Sequence, residues 1–571
     1  MSRIFWQGTI NSSLKTGHLP SSVIFTRRLS LLAAPSVLAA CGGGGAGVLS
    51  TSNPDDGLQP SLGLPNSYTP PSSTYTAPST ADPNRFALRT EFLDPYWVAS
   101  LRNGSFDQIE AFIDGFDRTY AYAFPDTMPA YYQRVVVDGT AIEAGWQSAN
   151  TEMQAAHRDI FGRLEAVLDI SFVETSELDA FNLIAISQND QGTTTAGYAF
   201  YPSDQTLLGS DILISTLYAS PVQNPDGSTN FDYEVLIHEL GHALGLKHPF
   251  EPDWGNTTTL NATEDTTVWT TMSYDALPSS FDGEFRAFDL MALTEVYGVN
   301  PTYRAGDDIY SFSSAQGVFV VDGAGTDAIS AAGRLQDVTI DLRAGAQSYV
   351  GATSKLISEA NQLAISPNTN IENAIGGMGD DFLIGNDLDN LLLGSGGSDR
   401  IFAGEGADTV IGGAGDDTVD LSELVSARDT VVFDLTDPFL GSDVIFSFEQ
   451  GRGGDVIDFA GNTFQDLLEV VSSSNVPDAF VHGYILRLTD AILDTSDKLV
   501  DAFADGGAFE ALDFALGGEA IVIAAESQAT GEDQLLYHVE KTETGLEVAH
   551  SATLAGNYLD LDSWQSGNFV F

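Results

Sequence analysis

The chain is almost devoid of cysteine and poor in positive charge. Its 571 residues include one cysteine, Cys41, so no disulfide can form within the chain. Lysine and arginine total 23 against 80 aspartate and glutamate residues, which gives a formal net charge of −57. A nucleic-acid-binding protein carries the opposite sign, so that class is excluded. An exported protein without disulfides needs other cross-links, and bound metal ions are the usual substitute.

Length and composition set further limits. The chain is too long for one hydrophobic core, and about 150 residues per domain suggests roughly three or four units. A hydrophobic fraction of 43% excludes a chain that is disordered throughout. The acidic excess has two interpretations, general solubility or carboxylates that bind hard cations such as Ca²⁺. Only acidic residues at a fixed spacing favour the second.

The apolar run near the N-terminus is too short to span a membrane. Two arginines at 27 and 28 precede an apolar run that ends at residue 40. The run has about the length of the apolar part of a secretory signal, whereas a transmembrane helix needs roughly 20 apolar residues. The run ends in LAAC at 38–41, which resembles a bacterial lipoprotein signal. That resemblance implies lipidation of Cys41, export and attachment to the outer membrane. An ordinary signal peptide with a chance cysteine is the alternative. Residues 42–85 are rich in Gly, Ser, Thr and Pro, which predicts a flexible tether.

The most specific pattern is HExxHxxGxxH, formed by His238, Glu239, His242, Gly245 and His248. Positions i and i+4 lie on one face of a helix, so His238 and His242 can bind one metal ion. Gly245 can adopt a positive φ and end the helix, so that His248 returns as the third ligand. Three nitrogen ligands leave one coordination position open, as catalytic zinc requires. Glu239, beside the first ligand, is the candidate general base.

This motif is that of the metzincin metalloproteases, and neighbouring segments resemble the serralysin branch of that family. Residues 270–275, TTMSYD, resemble the Met-turn beneath the zinc site, with Met272 as its methionine. In serralysins the tyrosine two residues further on is an additional, displaceable zinc ligand, a role that the resemblance assigns to Tyr274. Residues 284–299 resemble the helix that closes the catalytic domain. The resemblance implies a zinc endopeptidase that acts on proteins and peptides.

Upstream of the motif, the pattern predicts one long helix and several strands. Apolar residues at helical spacing predict a helix within 145–168. Segments 119–126, 182–187 and 210–215 are predicted strands. In the family, the strand corresponding to 197–204 lies at the sheet edge and pairs with an extended substrate, which implies broad sequence tolerance.

Residues 376–420 repeat with a period of nine and follow the template GGxGxDxUx. The eighth position is aliphatic in all five units, which predicts inward-facing residues of a parallel β-roll. A flexible glycine-rich linker is the alternative, but a linker has no reason for an aliphatic residue at every ninth position. The turns would bind Ca²⁺ through aspartates and carbonyls, and without Ca²⁺ the carboxylates would repel and unfold the roll. Asn390 replaces the aspartate of the second unit and predicts a weaker site. The candidate calcium-binding residues are Gly376, Gly379, Asp381, Gly397, Asp399, Gly406, Asp408, Gly415 and Asp417.

These repeats resemble the calcium-binding modules of serralysins and other RTX proteins. Residues 305–312 and 371–377 resemble the segments that enter the serralysin β-sandwich and roll. Residues 429–435 and 441–461 resemble degenerate strands that cap such rolls. The C-terminal segment resembles RTX tails, which type I export machinery reads, whereas a lipoprotein signal uses the general export route. Of these two routes, the N-terminal lipid anchor is favoured, with the tail kept as a cap.

The fold class is therefore predicted as an α+β metzincin catalytic domain followed by an all-β parallel β-roll or sandwich. We expect a monomer with one catalytic Zn²⁺ and several structural Ca²⁺ ions. The alternative function is a calcium-binding surface adhesion or structural lipoprotein with an inactive protease domain. The predicted divisions are a signal at 1–41, a tether and possible propeptide at 42–109, a zinc metalloprotease domain at 110–303, a β-sandwich and roll at 304–425, and a cap and tail at 426–571.

Overall fold

The computed structural model describes residues 95–460 with short gaps, and separate strands between 468 and 570. The predicted lipidation site at Cys41, the signal and the tether up to residue 94 lie outside the described residues. None of the described helices is both long and apolar enough to cross a membrane. The gaps are residues 105, 138–139, 194, 219–221, 224–228, 231–232, 254, 276–283, 435–440 and 450–453. The later described residues are 468–471, 484–492, 498, 519–525, 534–542, 545–555 and 568–570.

The N-terminal unit combines a mixed sheet with helices. The helices are α1 Tyr96–Ala99, α2 Ile109–Asp114, α3 Thr151–Val167, α4 Tyr233–Ala243 and α5 Ala287–Tyr297, with 3₁₀ turns at Phe106–Gln108 and Ala130–Tyr132. The strands are β1 Thr119–Ala123, β2 Val136–Val137, β3 Thr140–Ala141, β4 Gln147–Ser148, β5 Ser171–Glu174, β6 Leu183–Asn189, β7 Gly197–Ala199, β8 Ile212–Ser215, β9 Val222–Gln223 and β10 Thr229–Asn230. Two pairs, β2 with β3 and β9 with β10, form separate ribbons.

The main sheet has the order β5-β1-β6-β8-β7, and β4 pairs with β6. The first four strands are parallel, whereas β7 runs antiparallel to β8 at the sheet edge. The strands predicted at 119–126, 182–187 and 210–215 are therefore confirmed as β1, β6 and β8, and the segment 197–204 begins with the edge strand β7.

Helix α3 shows how the sequence specifies its position. The Asn150 side chain accepts a hydrogen bond from the Met153 amide at 2.8 Å and caps the N-terminus. The buried residues recur at helical spacing and face the sheet, which confirms the helix predicted within 145–168. They are Met153, Ala156, His157, Ile160, Phe161 and Leu164.

The segment 95–109 belongs to the packed N-terminal unit. The sequence pattern placed it in the tether and possible propeptide, yet Trp97 and Leu101 are buried in the core that contains the later helices. The Asn103 amide donates a 2.8 Å hydrogen bond to the Gly245 carbonyl. Such a short apolar stretch carries no clear period, and tertiary contacts rather than local pattern fix its structure.

The C-terminal unit consists of two sheets. Its strands up to residue 434 are β11 Ile309–Ser311, β12 Val318–Val320, β13 Ala328–Ser330, β14 Val338–Asp341, β15 Gln347–Val350, β16 Gln362–Ile365, β17 Asn373–Ile375, β18 Phe382–Ile384, β19 Leu391–Gly396, β20 Arg400–Phe402, β21 Thr409–Ala414, β22 Thr418–Asp420 and β23 Thr430–Asp434. The later strands are β24 Asp443–Phe446, β25 Val456–Ala460, β26 Leu468–Val471, β27 Tyr484–Ile492, β28 Glu519–Ala525, β29 Gln534–Thr542, β30 Gly545–Ala555 and β31 Phe569–Val570.

Successive repeat strands alternate between these two sheets. One sheet is parallel throughout, in the order β11-β13-β17-β19-β21-β23-β25-β31. The other contains the parallel run β14-β18-β20-β22-β24-β30. The aliphatic eighth positions are buried between the sheets, at Leu383, Leu392, Ile401, Val410 and Val419. This architecture fits the predicted parallel β-roll.

The predicted cap strands continue the roll. Segments 429–435 and 441–461 contain β23, β24 and β25, which pair in parallel with the preceding repeat strands. Beyond them β28, β29 and β30 are antiparallel neighbours. The end of the repeat pattern in the sequence is therefore not the end of the two sheets.

The two units share a packed interface. The Trp269 ring lies 5.8 Å from Phe288 on α5 and 5.6 Å from Phe319 on β12, measured between ring centroids. The hydroxyls of Thr294 and Ser366 lie 2.6 Å apart. Strand β12 at the start of the C-terminal unit therefore packs directly against the residue that precedes the predicted Met-turn at 270–275.

Candidate functional site

Three histidines converge at the C-terminal end of α4. His238 and His242 lie one turn apart on the helix, and Gly245, with a φ of +108°, ends it. The Nε2 atom of His248 lies 3.2 Å from Nε2 of His238 and 3.1 Å from Nε2 of His242. Among the described residues, this is the one group of three metal-binding side chains whose ligand atoms all lie within 4.8 Å of one another.

Backbone carbonyls orient two of these imidazoles. The Nδ1 atom of His238 lies 2.8 Å from the Thr271 carbonyl, and Nδ1 of His242 lies 2.7 Å from the Leu246 carbonyl. A carbonyl can only accept, so each Nδ1 carries the proton and each Nε2 keeps its lone pair. Lone pairs this close together repel unless a cation binds between them. The residues therefore fit a zinc ion.

Burial keeps the imidazoles of His242 and His248 neutral. It lowers the pKa of His242 well below its usual value, and the neighbouring His248 lowers it further. The pKa of His248 is also well below its usual value, because of burial and then of the charge on Lys247. Neutral imidazole is the form that binds a metal ion.

The candidate base and the candidate fourth ligand adjoin the histidines. Glu239 is buried and its side chain lies against Gly197 on the edge strand β7. The Tyr274 hydroxyl lies 2.7 Å from His248 Nε2, so it is placed where a ligand of the same ion would be. The structure thus brings together all five residues that the sequence assigned to the zinc centre and its catalysis.

The segment with Met272 lies directly beneath α4. Met272 is fully buried, and a Cβ atom added to Gly241 would lie 2.5 Å from its sulfur. The absence of a side chain at Gly241, directly before His242, therefore leaves room for this methionine beneath the helix.

Asp289 is a site residue that the sequence analysis missed. From the first turn of α5 its carboxylate accepts hydrogen bonds from the Thr270 hydroxyl at 2.5 Å and the Thr271 amide at 2.7 Å. Burial raises its pKa, and these hydrogen bonds lower it in part. Because the Thr271 carbonyl orients His238, Asp289 holds the Met-turn and, through it, the first ligand. An aspartate in the first turn of a helix signals a cap, but not the partner it holds.

Lys247 is a second residue that the sequence analysis missed. Its ammonium is buried and donates to the carbonyls of His248 at 3.2 Å, Glu251 at 3.0 Å and Thr258 at 2.9 Å. These acceptors satisfy all three donors of the ammonium. Burial nevertheless lowers its pKa to about 8. The lysine therefore fixes the loop that follows the third histidine.

Carboxylates form two ladders along the roll. In the first ladder, the backbone amide of Asp381 donates to Asp399 Oδ1 at 2.7 Å, and that of Asp399 donates to Asp417 Oδ1 at 2.8 Å. Partners in this run are 18 residues apart, which equals two repeat units. Because successive units alternate between the two sheets, the partners lie on neighbouring strands of the same sheet. The first ladder consists of Asp381, Asp399, Asp417 and Asp443, and the second of Asn390, Asp408, Asp429 and Asp455.

The second oxygens of several ladder aspartates are buried without a hydrogen-bond partner in the described part of the chain. They are Oδ2 of Asp399, Asp408 and Asp417. Burial, with a smaller contribution from the neighbouring Asp429, raises the pKa of Asp408 to about 8. Burial also raises the pKa of Asp381 to about 7. Unpartnered carboxylate oxygens between adjacent turns fit a hard cation such as Ca²⁺.

The predicted glycines occupy places where no side chain fits. A Cβ on Gly376 would lie 2.4 Å from the Gly394 carbonyl, and one on Gly379 would lie 2.5 Å from the Asp337 amide. The remaining three have positive φ angles of 109° to 124° and equally close backbone neighbours. They are Gly397, Gly406 and Gly415.

The carboxylate pattern extends beyond the nonapeptide repeats. Upstream, the Asp308 amide donates to Asp327 Oδ1 at 2.7 Å, and the Asp327 amide donates to a Glu372 oxygen at 2.7 Å. Downstream, Asp429, Asp443 and Asp455 continue the ladders. The sequence analysis missed these residues. A Gly-x-Asp pattern at 306–308 and 325–327, each followed by a short apolar strand, is the signal that could have found the upstream pair.

Comparison with known proteins agrees with this geometry. Residues 289–481, about a third of the chain, match the family model described as the serralysin C-terminal domain of peptidase family M10. The chain is similar to serralysins. It is 32% identical over 263 residues to a serralysin of Proteus mirabilis, covering 39% of this chain and 52% of the relative. It is 34% identical over 264 residues to serralysin B of Dickeya chrysanthemi, covering 41% and 53%.

A serralysin of Photorhabdus luminescens is 30% identical over 300 residues, covering 47% of this chain and 57% of the relative. The chain therefore spans about half the length of the curated relatives it matches. A solution structure of the AlgE6R3 subunit of the Azotobacter vinelandii mannuronan C5-epimerase is 21% identical, with a TM-score of 0.19 over 34% of this chain and 80% of the other. That similarity does not bear on fold or function. The chain is thus similar to serralysins, and its C-terminal region is rich in parallel β-strands.

Proposed function

We propose that the chain is a zinc-dependent endopeptidase that hydrolyses peptide bonds in proteins and is stabilised by calcium. The observation that carries the proposal is the convergence of three buried imidazoles beside Glu239 and an edge strand. His238, His242 and His248 would hold the ion, and Tyr274 lies within reach of the same position.

In the proposed mechanism, zinc bound by the three imidazoles supplies Lewis acidity, which polarises the scissile carbonyl and makes water more acidic. Glu239 takes the proton from the attacking water and later passes it to the leaving amine. The Tyr274 hydroxyl donates a hydrogen bond to the oxyanion that develops on the carbonyl oxygen. Asp289 keeps the Met-turn and His238 in place during these steps.

The substrate is proposed to bind as an extended peptide on β7. In the described residues β7 pairs with β8 on one side, and no other strand pairs with it. Backbone hydrogen bonds along such an edge do not depend on side chains, which supports an endopeptidase of broad specificity. Gly197, at the start of this strand, lies against the candidate base.

The two ladders are proposed to bind several Ca²⁺ ions. Their buried aspartates have raised pKa values, so ionisation at neutral pH destabilises the roll unless a cation compensates the charge. We further propose that the protein is exported and attached to a membrane through lipidated Cys41, because the sequence at 27–41 resembles a lipoprotein signal. A calcium-binding surface protein with an inactive protease domain is not favoured, because the catalytic residues are complete.

Casein hydrolysis by the purified chain, with zinc and millimolar Ca²⁺, tests the proposal. The wild type should cleave, and a zinc chelator should abolish cleavage. Glu239→Ala should bind one zinc per chain but lose turnover, because the three imidazoles remain. Tyr274→Phe should lower kcat by roughly 10- to 100-fold with less effect on KM, since its hydroxyl acts on the oxyanion.

Two results would contradict the assigned roles. Zinc loss in Glu239→Ala would mean that the glutamate is needed for the structure of the metal site, and its assignment as the general base would then lose its support. An unchanged kcat in Tyr274→Phe would show that the tyrosine hydroxyl does not stabilise the oxyanion.

A further inference from the structure

Gly197 and Glu239 are in unusually close contact. A Cβ atom built on Gly197 would lie 2.8 Å from both Cγ and Oε1 of Glu239 and 3.0 Å from its Cδ. These are the three nearest atoms to that position, so the glutamate is the first group that a side chain on Gly197 would meet. Both residues are buried.

Backbone conformation does not explain this glycine. Gly197 does not have a positive φ, unlike Gly192 in the loop before it at +71°. It lies in β7, paired with Ile214 of β8, and the next residues of the strand, Tyr198 and Ala199, carry side chains. An alanine could therefore adopt the same backbone, and the contact with Glu239 is the remaining constraint.

We propose that Gly197 is a positioning residue for Glu239. Its missing side chain lets α4 and the edge strand approach closely, and places the glutamate beside the strand on which an extended substrate would pair. This inference rests on the proposed endopeptidase function for its kinetic consequence, but the steric relation between the two residues does not depend on it.

The displacement that an alanine would cause follows from the distances. An ordinary van der Waals contact begins at 3.4 Å, so atoms at 2.8 Å must separate by at least 0.6 Å, which is the difference between these values. The glutamate side chain can rotate, whereas β7 is hydrogen-bonded to β8, so the carboxylate should move. Misplacing a reacting group by about 1 Å can cost roughly 100-fold in rate.

The first test is the kinetics of Gly197→Ala in the full chain. We expect kcat to fall by roughly 10- to 100-fold with KM within about twofold and bound zinc unchanged. Gly162→Ala is the matched control, because Gly162 lies on the exposed side of α3 with no atom within 4 Å of the added Cβ. A rate within about twofold of wild type would overturn the proposal. So would a rise in KM alone, which would indicate a displaced substrate strand.

The second test needs no activity and separates this inference from the proposed function. Gly197→Ala should lower the Tm by about 3 °C when Glu239 is present, because the added methyl overpacks the site. In Glu239→Ala, which lacks the Cγ, Cδ and Oε1 atoms, the same substitution should not lower the Tm. A variant that folds only in the Glu239→Ala background would support the proposal equally. The same loss in both backgrounds would refute it, whatever the chain catalyses.

Discussion

The second ladder makes a prediction whose sign depends on calcium. Asp408 is 1% exposed, its Oδ1 accepts the Asn390 amide at 2.8 Å, and its Oδ2 has no hydrogen-bond partner among the described residues. The chain itself places an asparagine one strand earlier, where the Asn390 Nδ2 donates to the Glu372 carbonyl at 3.0 Å. Asp408→Asn therefore replaces the charge with a group of the same shape that the ladder already accommodates.

The magnitude follows from the pKa of Asp408, which burial raises from 3.8 to about 8. A shift of about four units corresponds to roughly 5–6 kcal/mol at 1.36 kcal/mol per unit, as a ceiling. Relaxation of the site reduces this, and we expect about 2–3 kcal/mol. The folded-state pKa is raised, so the carboxyl's contribution to stability is present below pH 3.8 and is lost as the pH rises through about 8. In a calcium chelator, Asp408→Asn should therefore stabilise the roll at pH 9, and the gain should shrink toward pH 4.

Calcium reverses the expected sign. With Ca²⁺ bound, the carboxylate is a ligand, and the neutral amide is a weaker one, so Asp408→Asn should lower the unfolding midpoint in millimolar Ca²⁺. Urea unfolding of the full chain, followed by circular dichroism with and without Ca²⁺, measures both effects. Asp387→Asn is the control, since it removes one charge from an exposed residue of the same repeat region. An effect of the same sign in both conditions would refute a calcium-binding ladder at Asp408.

Two further predictions concern other parts of the chain. Asp289→Ala should weaken zinc binding by about 10-fold and lower the free energy of unfolding by about 2 kcal/mol, because the Thr270 hydroxyl and the Thr271 amide lose their acceptor. Competition with a chromogenic chelator measures the affinity, with Asp159→Ala on the exposed face of α3 as the control. An unchanged affinity would contradict the link from Asp289 to His238. Cys41→Ser should release the protein from the membrane fraction of expressing cells, because lipidation requires the thiol. Equal retention of the wild type and Cys41→Ser in the membrane fraction would exclude the proposed anchor.

The parts of the site fixed by local spacing were predictable from the sequence. A separation of four residues on a helix places His238 and His242 on one face, and Gly245 ends that helix with a positive φ. The nonapeptide period likewise identified the aliphatic residue of each repeat unit that is buried between the two sheets. In each case the regular geometry of a helix or of the roll determines which face a residue occupies from its spacing along the chain.

Other parts depend on contacts between distant segments, which no local rule specifies. Lys247 meets carbonyls up to 11 residues away, and Asp289 meets the Met-turn 18 and 19 residues earlier. Asp308 and Glu372 join Asp327 across separations of 19 and 45 residues, so the nine-residue period does not predict these contacts, even though a Gly-x-Asp pattern marks the two aspartates. The segment 95–109 was missed for the same reason, since its burial depends on α5 and the loop after α4.

One such contact joins the N-terminal unit to the C-terminal unit. Glu264, on the segment leading to the Met-turn, is fully buried and accepts hydrogen bonds from the Tyr96 hydroxyl at 2.7 Å and the Ser358 hydroxyl at 2.7 Å. Ser358 belongs to the C-terminal unit, and its neighbour Ile357 is buried in the N-terminal core. Unfolding of the roll would therefore leave this buried carboxylate without the donors of Ser358, whose amide also donates to it at 3.0 Å, and would open a cavity near Trp269, where Phe319 packs. The stability of the histidine site is thus linked to that of the roll, because both depend on this shared interface.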